Sequence, residues 1–465
     1  MFDRREQIAA IVARLPSLQH VVWLPYQGLE PPVLPGMPSS MFAELLAGPE
    51  VAREDFRYER VACDHPLWVL FSSGTTGQPK AIVHSHVGMI AEHLKVMSFH
   101  CNLGPDSTMF FYSTTGWMMW NSVIAALITG AAAVLYDGSP LHGGVEMLWR
   151  MAQDTGVTLF GASPTLVQNM KQAGLVPKEH FDLAAMDSIL VGGAPSTPQV
   201  FQWFYDCVKQ DLCVGSQSGG TEICSGFVSA VPTQPVYAGE IQARGLGMDV
   251  HVWSDAGEEL VDEVGELVVL APTPSMPIFL WNDADGSRYR ESYFDTFPGV
   301  WRHGDLTKIN RRGGVYVYGR SDATLNRHGV RIGSAEIYRV LEQVAAIRDS
   351  LVICCELPGG GYYMPLFVAL REGAGMSDEL LREIQRRLRE DASPRHVPDE
   401  IHVAPAIPYT LTGKKMEVPV RKLVMGMAPQ KAASRDAMAD PALLDWYVDF
   451  ANRPEVAARR RGGAS

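Results

Sequence analysis

Short apolar runs alternate with stretches of helical spacing through the first half of the chain. The apolar runs are expected to be buried strands, and they occupy residues 20–26, 67–73, 108–114, 131–137, 158–163 and 188–194. Between them lie segments whose apolar positions recur every three or four residues, at 87–99, 145–155 and 198–209. Strands that alternate with helices in this way predict parallel α/β layers.

The pattern changes twice further along the chain. From about Gly239, strand-like runs separated by Gly and Asp predict a smaller antiparallel sheet or distorted barrel, at residues 248–254, 265–272 and 313–320. After Arg320 a helix, strand, strand, helix order is predicted, at residues 335–343, 350–356, 363–370 and 377–389. We therefore predict an α/β protein with a large N-terminal domain, residues 1–321, of layered parallel α/β subdomains plus a small distorted β-barrel. A small α+β domain, residues 322–465, follows a boundary at Ser321–Asp322.

The composition narrows the class of protein. Acidic residues outnumber basic ones, 52 to 40, and the formal net charge of −12 argues against a nucleic-acid partner, since such a surface repels a polyanion. The seven cysteines are scattered without a CxxC pair, which favours a reduced, cytoplasmic protein over a disulfide framework or a zinc site. The longest apolar segment, residues 123–135, is too short to cross a bilayer, so no membrane association is expected.

The segment SSGTTGQPK, residues 72–80, is the strongest local signal. It follows an apolar strand and precedes a helix that is predicted to begin near His86. Its two glycines allow a tight turn, and its four hydroxyls and one lysine are donors for phosphate oxygens. The spacing differs from that of a P-loop NTPase, so neither a GTPase nor a kinase is indicated. An ordinary polar loop is the alternative, but the position between a strand and a helix favours a phosphate loop.

Three shorter motifs are ambiguous when each is taken alone. In GGTE, residues 219–222, the Thr-Glu pair either starts a helix or holds a phosphate and the Mg²⁺ that accompanies it. In HGD, residues 303–305, the aspartate either belongs to a turn or accepts the hydroxyls of a ribose. Lys414, which follows Gly413, is either a surface lysine or the tip of a mobile loop.

Together and in this order, these segments and the stretch 319–337 resemble the adenylate-forming superfamily of acyl-CoA synthetases, luciferases and peptide-synthetase adenylation domains. Five motifs match between residues 67 and 418. The resemblance implies a phosphate loop formed by Ser72, Ser73, Gly74, Thr75, Thr76, Gly77 and Lys80. It also implies an adenine site bounded on one side by Gly193, Ala194 and Pro195, and on the other by Ser216, Gln217, Ser218, Gly219, Gly220 and Thr221.

The same resemblance implies roles for single residues. It assigns catalysis of adenylation to Lys414, Glu222 and Thr221, with Glu222 also binding Mg²⁺. It assigns the ribose of ATP to Asp305 and Arg320. The N-terminal domain is then the ATP- and acid-binding domain, and the C-terminal domain carries the catalytic lysine.

The resemblance further implies a moving C-terminal domain. Asp322 is the hinge about which this domain turns between the two half-reactions. Arg331 would then approach the phosphates and the pantetheine of coenzyme A. Such a rotation replaces one set of groups in the site with another.

Within the superfamily the sequence is most similar to those of acetoacetyl-CoA synthetases, in residues 80–89, 110–121, 219–227, 327–338 and 439–452. This implies acetoacetate, ATP and coenzyme A as substrates, and acetoacetyl-CoA, AMP and pyrophosphate as products. Gly219 stands where acetyl-CoA synthetases have a tryptophan, which leaves room for an acid longer than acetate. Trp117 and Met118 either line the same pocket or belong to ordinary core packing.

Members of this superfamily have a longer segment before the phosphate loop. Here 71 residues precede Ser72, so we expect a shortened first subdomain. The missing layer would leave apolar faces of the remaining sheet uncovered, which predicts poor solubility or a partner that compensates. The alternative to a ligase for acetoacetate is therefore a non-catalytic nucleotide-binding remnant or a subunit of a split enzyme, or a ligase for another short-chain acid. Retention of Glu222, Asp305, Arg320 and Lys414 favours an active ligase, because a remnant has no chemical reason to keep them.

Overall fold

The first residues of the chain form a unit of their own. A computed structural model describes residues 3–25, 28–72, 80–321, 325–327, 330–357, 361–411 and 413–460. The chain divides into two units, Met1–Ala62 and Cys63–Ser465. The elements of the first unit are α1 (Arg5–Val12), β1 (Val21–Trp23), β2 (Ser39–Met41) and α2 (Phe42–Leu46). Strand β1 pairs in parallel with β2, which confirms a strand within residues 20–26. The expectation that it is buried is wrong, since Val22 is exposed and its two neighbours are only partly buried.

Two antiparallel strands flank the predicted phosphate loop. The elements here are β3 (Pro66–Phe71), β4 (Ala81–Ser85), α3 (His86–Lys95) and a π-helical turn (Val96–His100). The hydroxyl of Ser85 caps α3 by accepting a hydrogen bond from the backbone N–H of Gly88. The strand before the loop and the helix start at His86 are confirmed, but β4 was not predicted. This strand is mostly buried, yet its sequence AIVHS is short and ends in polar residues, so it lacks a continuous apolar pattern.

A five-stranded parallel sheet forms the centre of the second unit, with strand order β6-β5-β7-β8-β9. Its strands and helices are β5 (Thr108–Phe111), α4 (Met119–Ala125), β6 (Ala132–Val134), α5 (Met147–Thr155), β7 (Leu159–Ala162), α6 (Pro164–Gln172), β8 (Ser188–Val191), α7 (Pro198–Cys207) and β9 (Cys213–Ser216). The predicted parallel α/β arrangement is confirmed for the runs at residues 108–114, 131–137, 158–163 and 188–194, whereas the runs at 20–26 and 67–73 belong to other sheets. Strands β7 and β8 are continuous apolar runs because helices cover both faces of a parallel sheet.

Aromatic side chains hold α5 and α7 to this sheet. The indole of Trp149 stacks on the ring of Phe160, with 4.4 Å between centroids, and both side chains are fully buried. Trp203 and Phe204 of α7 join the same cluster. Large buried aromatic groups contribute strongly to the stability of a core. Because the five strands run parallel, their carboxyl ends lie at one edge of the sheet, where α/β proteins usually bind ligands.

The predicted antiparallel part follows. Its elements are β10 (Ser218–Gly220), β11 (Ser225–Ser229), β12 (Ala243–Arg244), β13 (Val250–Trp253), β14 (Gly265–Val269), β15 (Phe279–Leu280), α8 (Ser287–Tyr293), β16 (Trp301–Ile309) and β17 (Val315–Arg320). Strands β13, β14, β16 and β17 form one antiparallel sheet, β10 to β12 form another, and β15 extends the sheet of β3 and β4. The HGD motif lies inside β16, so its interpretation as a turn is wrong.

The last segment is again mixed. Its elements are β18 (Leu325–Arg327), β19 (Val330–Ile332), α9 (Ser334–Leu341), β20 (Ile347–Val352), β21 (Cys355–Leu357), β22 (Gly361–Tyr363), β23 (Pro365–Leu370), α10 (Asp378–Arg387), β24 (Glu400–Val403), α11 (Glu417–Val424), α12 (Pro429–Ala432), α13 (Leu443–Ala451) and α14 (Pro454–Arg460). The two helices of the predicted helix, strand, strand, helix order are confirmed, but four described strands, β20 to β23, lie between them where two were predicted. Along β23, Phe367 and Ala369 belong to one core while Leu366 and Val368 belong to another, because successive side chains of a strand point to opposite faces. The domain boundary stays a prediction, since Asp322 lies outside the described residues.

One apolar stripe of the second unit is exposed. Val87, Ile90 and Leu94 share one face of α3 and are 48%, 49% and 44% exposed. Exposed Ile124 and Leu127 lie on the neighbouring segment, which contacts α3. The stripe lies on helices, so it does not test the expectation that a face of the sheet is uncovered, and a covering partner also stays a prediction. Among the described residues, no helix has both the length and the apolar character needed to cross a bilayer.

Candidate active site

Hydrogen bonds hold together the two ends of the predicted phosphate loop. The backbone N–H of Ser72 donates to the carbonyl oxygen of Lys80 at 3.0 Å, and the N–H of Lys80 donates to Oγ of Ser72 at 3.0 Å. The pairing of β3 with β4 brings the two ends to this position. The phosphate contacts stay predictions, since the intervening residues lie outside the described part of the chain: Ser73, Gly74, Thr75, Thr76 and Gly77.

The carboxylate of Glu222 faces the end of this loop. Its Oε1 lies 3.4 Å from Nζ of Lys80, and the same ammonium lies 4.5 Å from the centre of the Tyr293 ring. Burial disfavours the charged form of Glu222, but the electrostatic effects of His303, Lys80 and Arg320 outweigh burial and lower its pKa to about 2. Glu222 is therefore a carboxylate anion throughout the usual pH range.

Buried histidines hold the turn that carries Glu222. The ring Nε2 of His84, in β4, bonds to the carbonyl oxygen of Glu222 at 2.8 Å. The Nε2 of His93, in α3, bonds to the carbonyl oxygen of Cys224 at 3.0 Å. The sequence analysis missed both residues. Their signal was a histidine at an otherwise apolar position, which is equally typical of a histidine in a core.

Asp305 and Arg320 face each other across β16 and β17. The guanidinium Nη1 lies 3.3 Å from Oδ1 of Asp305 and donates a hydrogen bond to the carbonyl oxygen of His303 at 3.2 Å. The Nε2 of His303 lies 3.7 Å from Oδ2 of Asp305. Gly304 has a φ of +87°, and a Cβ there would lie 2.6 Å from Nη2 of Arg320, so glycine lets the guanidinium lie against the strand. The bulky cation and the carboxylate thus form one charged pair near Glu222.

The loops at the carboxyl edge of the parallel sheet bring the predicted adenine and acid residues together. A Cβ on Gly193 would lie 3.1 Å from Cζ2 of Trp117, so the indole edge rests against this glycine. The side-chain amide of Gln217 contacts the sulfur of Met119 at 3.7 Å. The remaining predicted residues are close to Gly193 or Gln217 in the sequence: Ala194, Pro195, Ser216, Ser218, Gly220 and Thr221.

Trp117 and Met118 take part in core packing as well. Both are half-buried against the cluster beneath α4, and the Trp117 ring meets Phe111 edge-on with 5.6 Å between centroids. One edge of the indole therefore belongs to the core, while the other reaches Gly193 at the strand ends. The two interpretations of Trp117 are compatible, and its role in an acid pocket stays a prediction.

The structure explains in a different way why residue 219 is a glycine. It pairs with Gly226 between β10 and β11, and a Cβ at residue 219 would lie 2.0 Å from the carbonyl oxygen of Ser225. This backbone leaves no space for a side chain, because the contact is with main chain and not with a mobile group. Its interpretation as the opening of an acid pocket stays a prediction.

We expect Gly219→Ala to lower the free energy of unfolding by about 1–3 kcal/mol, the cost of overpacking a tight site. The added methyl must displace β11, which leads from the Glu222 turn, so affinity for ATP should fall as well. Gly104→Ala is the matched control, since a Cβ at Gly104 meets nothing within 4 Å. Urea denaturation of both variants measures the difference. Equal stability of the two variants would contradict this account of the close approach.

Lys414 is presented by a tight turn. Its backbone N–H donates to Oγ1 of Thr410 at 3.1 Å, and the N–H of Thr410 donates to the carbonyl oxygen of Lys414 at 2.8 Å. Gly413 has a φ of +78°, a left-handed conformation that favours glycine. The neighbouring Lys415 is engaged elsewhere: its Nζ donates to Oδ1 of Asp349 at 2.7 Å. The two adjacent lysines therefore have different surroundings.

The Lys414 ammonium lies within electrostatic reach of the charged pair and of Glu222. The Lys414 side chain is exposed to solvent over part of its surface. Desolvation lowers the pKa of Lys414 and the charge of Arg320 acts in the same direction, whereas Glu222 and Asp305 act to raise it. Three separate parts of the chain thus meet at one charged site. Arg331 lies in β19 and its side chain is outside the described atoms, as is Asp322.

Comparison with known proteins identifies the family. Residues 14–276 match the family model described as AMP-binding enzyme. The acetoacetyl-CoA synthetase of Danio rerio is 41% identical over 459 residues, which are 98% of this chain and 67% of that protein. The acetoacetyl-coenzyme A synthetase of Rhizobium meliloti is 42% identical over 92% of this chain and 65% of that protein. The chain thus spans about two thirds of the length of these relatives.

Solved structures agree with this assignment. The acetoacetyl-CoA synthetase from Streptomyces lividans superposes with a TM-score of 0.88 at 48% identity, over 97% of this chain and 68% of that one. The mixed α/β fold is therefore that of adenylate-forming enzymes. These comparisons and the charged site agree, and the chain belongs to the AMP-binding enzyme family, in which it is similar over almost its whole length to acetoacetyl-CoA synthetases.

Proposed function

We propose that this protein is an ATP-dependent acid–thiol ligase that activates acetoacetate as an acyl-adenylate and transfers the acyl group to coenzyme A. The observation that carries the proposal is the convergence of Lys414 with Glu222 and the Asp305–Arg320 pair. Such a set suits a reaction between two anions, because it combines a cation for the reacting groups with partners for the nucleotide. The names of the relatives favour acetoacetate among short-chain acids.

The first step joins the acid to the nucleotide. A carboxylate oxygen attacks the α-phosphorus of ATP, a P–O bond to the acid forms, and the P–O bond to pyrophosphate breaks. Both reactants are negatively charged, so alignment and neutralisation of charge are the main tasks of the protein. Lys414 supplies positive charge at the reacting carboxylate and α-phosphate, and Lys80 supplies it at the departing phosphates. Asp305 and Arg320 hold the ribose.

The residues present fit a bound Mg²⁺. Glu222 is an ionised carboxylate beside the end of the phosphate loop, and Mg²⁺ in nucleotide sites is usually held by one or two carboxylates together with phosphates and water. Within the described ranges, no cluster of three or more His, Cys, Asp or Glu side chains suited to a metal is found. When bound, the ion makes pyrophosphate a better leaving group. We assign a phosphate contact to Thr221, the residue that precedes Glu222.

The second step replaces the nucleotide with a thiol. The sulfur of coenzyme A attacks the acyl carbonyl carbon, a C–S bond forms, the C–O bond to AMP breaks, and the thiol proton passes to solvent. The Lys414 side chain stands beside the site in the arrangement described here, so the thiol needs it to withdraw. We infer that the domain formed by residues 322–465 turns about Asp322 and brings Arg331 toward the phosphates.

Acid-dependent release of pyrophosphate from ATP tests this proposal. Acetoacetate, acetate, 3-hydroxybutyrate and butyrate are compared with purified protein, and acetoacetate is expected to give the fastest release. A faster rate with another acid would assign the pocket to that acid. Folded protein that binds ATP but releases no pyrophosphate with any acid would favour the nucleotide-binding remnant or split-enzyme alternative.

A further inference from the structure

A chain of hydrogen bonds connects β3, β4 and the Glu222 turn. The indole Nε1–H of Trp68 donates to Nδ1 of His84 at 3.2 Å. The Nε2 of His84 then lies 2.8 Å from the carbonyl oxygen of Glu222, a residue 138 positions further along the chain. His84 is fully buried. A buried imidazole with a partner on each nitrogen is held in one orientation.

These partners assign the tautomer of His84. An indole N–H can only donate, so Nδ1 accepts and carries no proton in this hydrogen bond. A carbonyl oxygen can only accept, so the proton of the neutral ring is on Nε2 and points at Glu222. Trp68 therefore selects the form of His84 that donates to the Glu222 peptide.

The position of His84 couples the two halves of the phosphate site. His84 lies on β4, four residues after Lys80, which directly precedes that strand. The ammonium of Lys80 lies 3.4 Å from the Glu222 carboxylate. A hydrogen bond from β4 to the Glu222 peptide thus sets where this carboxylate stands relative to the end of the phosphate loop. We propose that His84 is a positioning residue, locked by Trp68, that aligns Glu222 for the Mg²⁺ and phosphates of bound ATP.

His93 offers a matched comparison for this role. It is also buried, and its Nε2 bonds to a backbone carbonyl of the same turn, that of Cys224 at 3.0 Å. That peptide is two residues beyond Glu222 and is not adjacent to the carboxylate. Both histidines contribute to folding through similar hydrogen bonds, and only His84 touches the peptide of the proposed Mg²⁺ residue.

The experiment uses two variants that keep different halves of the His84 contacts. In His84→Gln the longer amide places an N–H donor near the position of Nε2 and keeps the bond to Glu222. In His84→Asn the shorter amide stays near Nδ1 and faces Trp68, so the Glu222 carbonyl loses its donor. His93→Asn is the control for the loss of a buried donor to the same turn. Calorimetry measures ATP binding with and without Mg²⁺, and thermal unfolding measures stability.

We expect Mg²⁺ to strengthen ATP binding to the wild type, and His84→Asn to reduce this gain by about tenfold, the factor that corresponds to one buried hydrogen bond. His84→Gln should restore most of the gain, while His93→Asn should lower the melting temperature and keep it. Equal gains in all folded variants would overturn the role of His84. If His84→Asn does not fold, Trp68→Phe must lower the gain in the same direction, and an unchanged gain would overturn the proposal.

The proposal rests on the proposed function, and the two fail differently. A wild-type protein that binds no ATP, with or without Mg²⁺, would contradict the proposed function itself. A wild type that binds Mg²⁺ and ATP together, beside a His84→Asn variant that does so equally well, would contradict only the positioning role.

Discussion

Lys414→Ala is expected to lower the rate of acid-dependent pyrophosphate release by about two to three orders of magnitude. The loss of a hydrogen-bond donor that stabilises developing negative charge typically costs an enzyme a factor of this size. The variant removes the positive charge that faces Glu222, Asp305 and Arg320, while the turn that carries residue 414 is held by backbone contacts with Thr410 and stays intact. Supplied acetoacetyl-adenylate and coenzyme A should still react, because the second step requires the lysine to withdraw. The two half-reactions are measured separately with the same preparation.

Lys415→Ala is the control for this prediction. The Lys415 ammonium donates to Asp349 and lies 4.0 Å from the centre of the Tyr338 ring, so its loss should lower stability and leave adenylation largely intact. Equal loss of adenylation in both variants would show that the loop, and not the Lys414 charge, is required for adenylation.

The lowered pKa of Lys414 adds a pH test. Its charge is lost as pH rises through that pKa, so adenylation should decline at a lower pH than an ordinary lysine would allow.

Glu222→Gln is expected to reduce the use of ATP with Mg²⁺ by about 100-fold, the upper end of what the loss of a partner in a metal site costs. The substitution keeps the shape of the side chain but removes the charge that lies 3.4 Å from Lys80 and that we assign to Mg²⁺. Rates at varied Mg²⁺ measure the effect. Because the pKa of Glu222 is about 2, this group should contribute no decline of the wild-type rate down to about pH 4.

Glu240→Gln controls for the removal of a buried carboxylate. Glu240 is 3% exposed and accepts hydrogen bonds from Asn310, Arg312 and Tyr316 in the antiparallel part. Its replacement should lower stability, because a buried charge partner is lost, and leave the dependence on Mg²⁺ unchanged. If Glu222→Gln retained the wild-type dependence on Mg²⁺, Glu222 could not be the residue that holds the ion.

Local patterns along the chain were enough to predict most strands and the main helices. Parallel strands such as β7 and β8 are buried on both faces, so they are short uninterrupted apolar runs, and β5 and β6 are recognised in the same way. Strand β4 was missed because five residues that include His84 do not make such a run. The HGD motif was not placed in β16, since glycine next to a charged residue is more typical of turns.

The sequence by itself determined the family, the reaction class and the candidate residues. Adenylation needs particular side chains, and these lie in short contiguous motifs that can be recognised without the structure. Only the tertiary structure decided which partners those residues have. The Glu222 peptide meets His84 over 138 positions, and Lys414 comes within electrostatic reach of Asp305. It also decided that Gly219 lies against the main chain of Ser225. Such contacts depend on how strands pair and helices pack. Packing brings together residues that are far apart in the sequence, and no local pattern predicts which of them will meet.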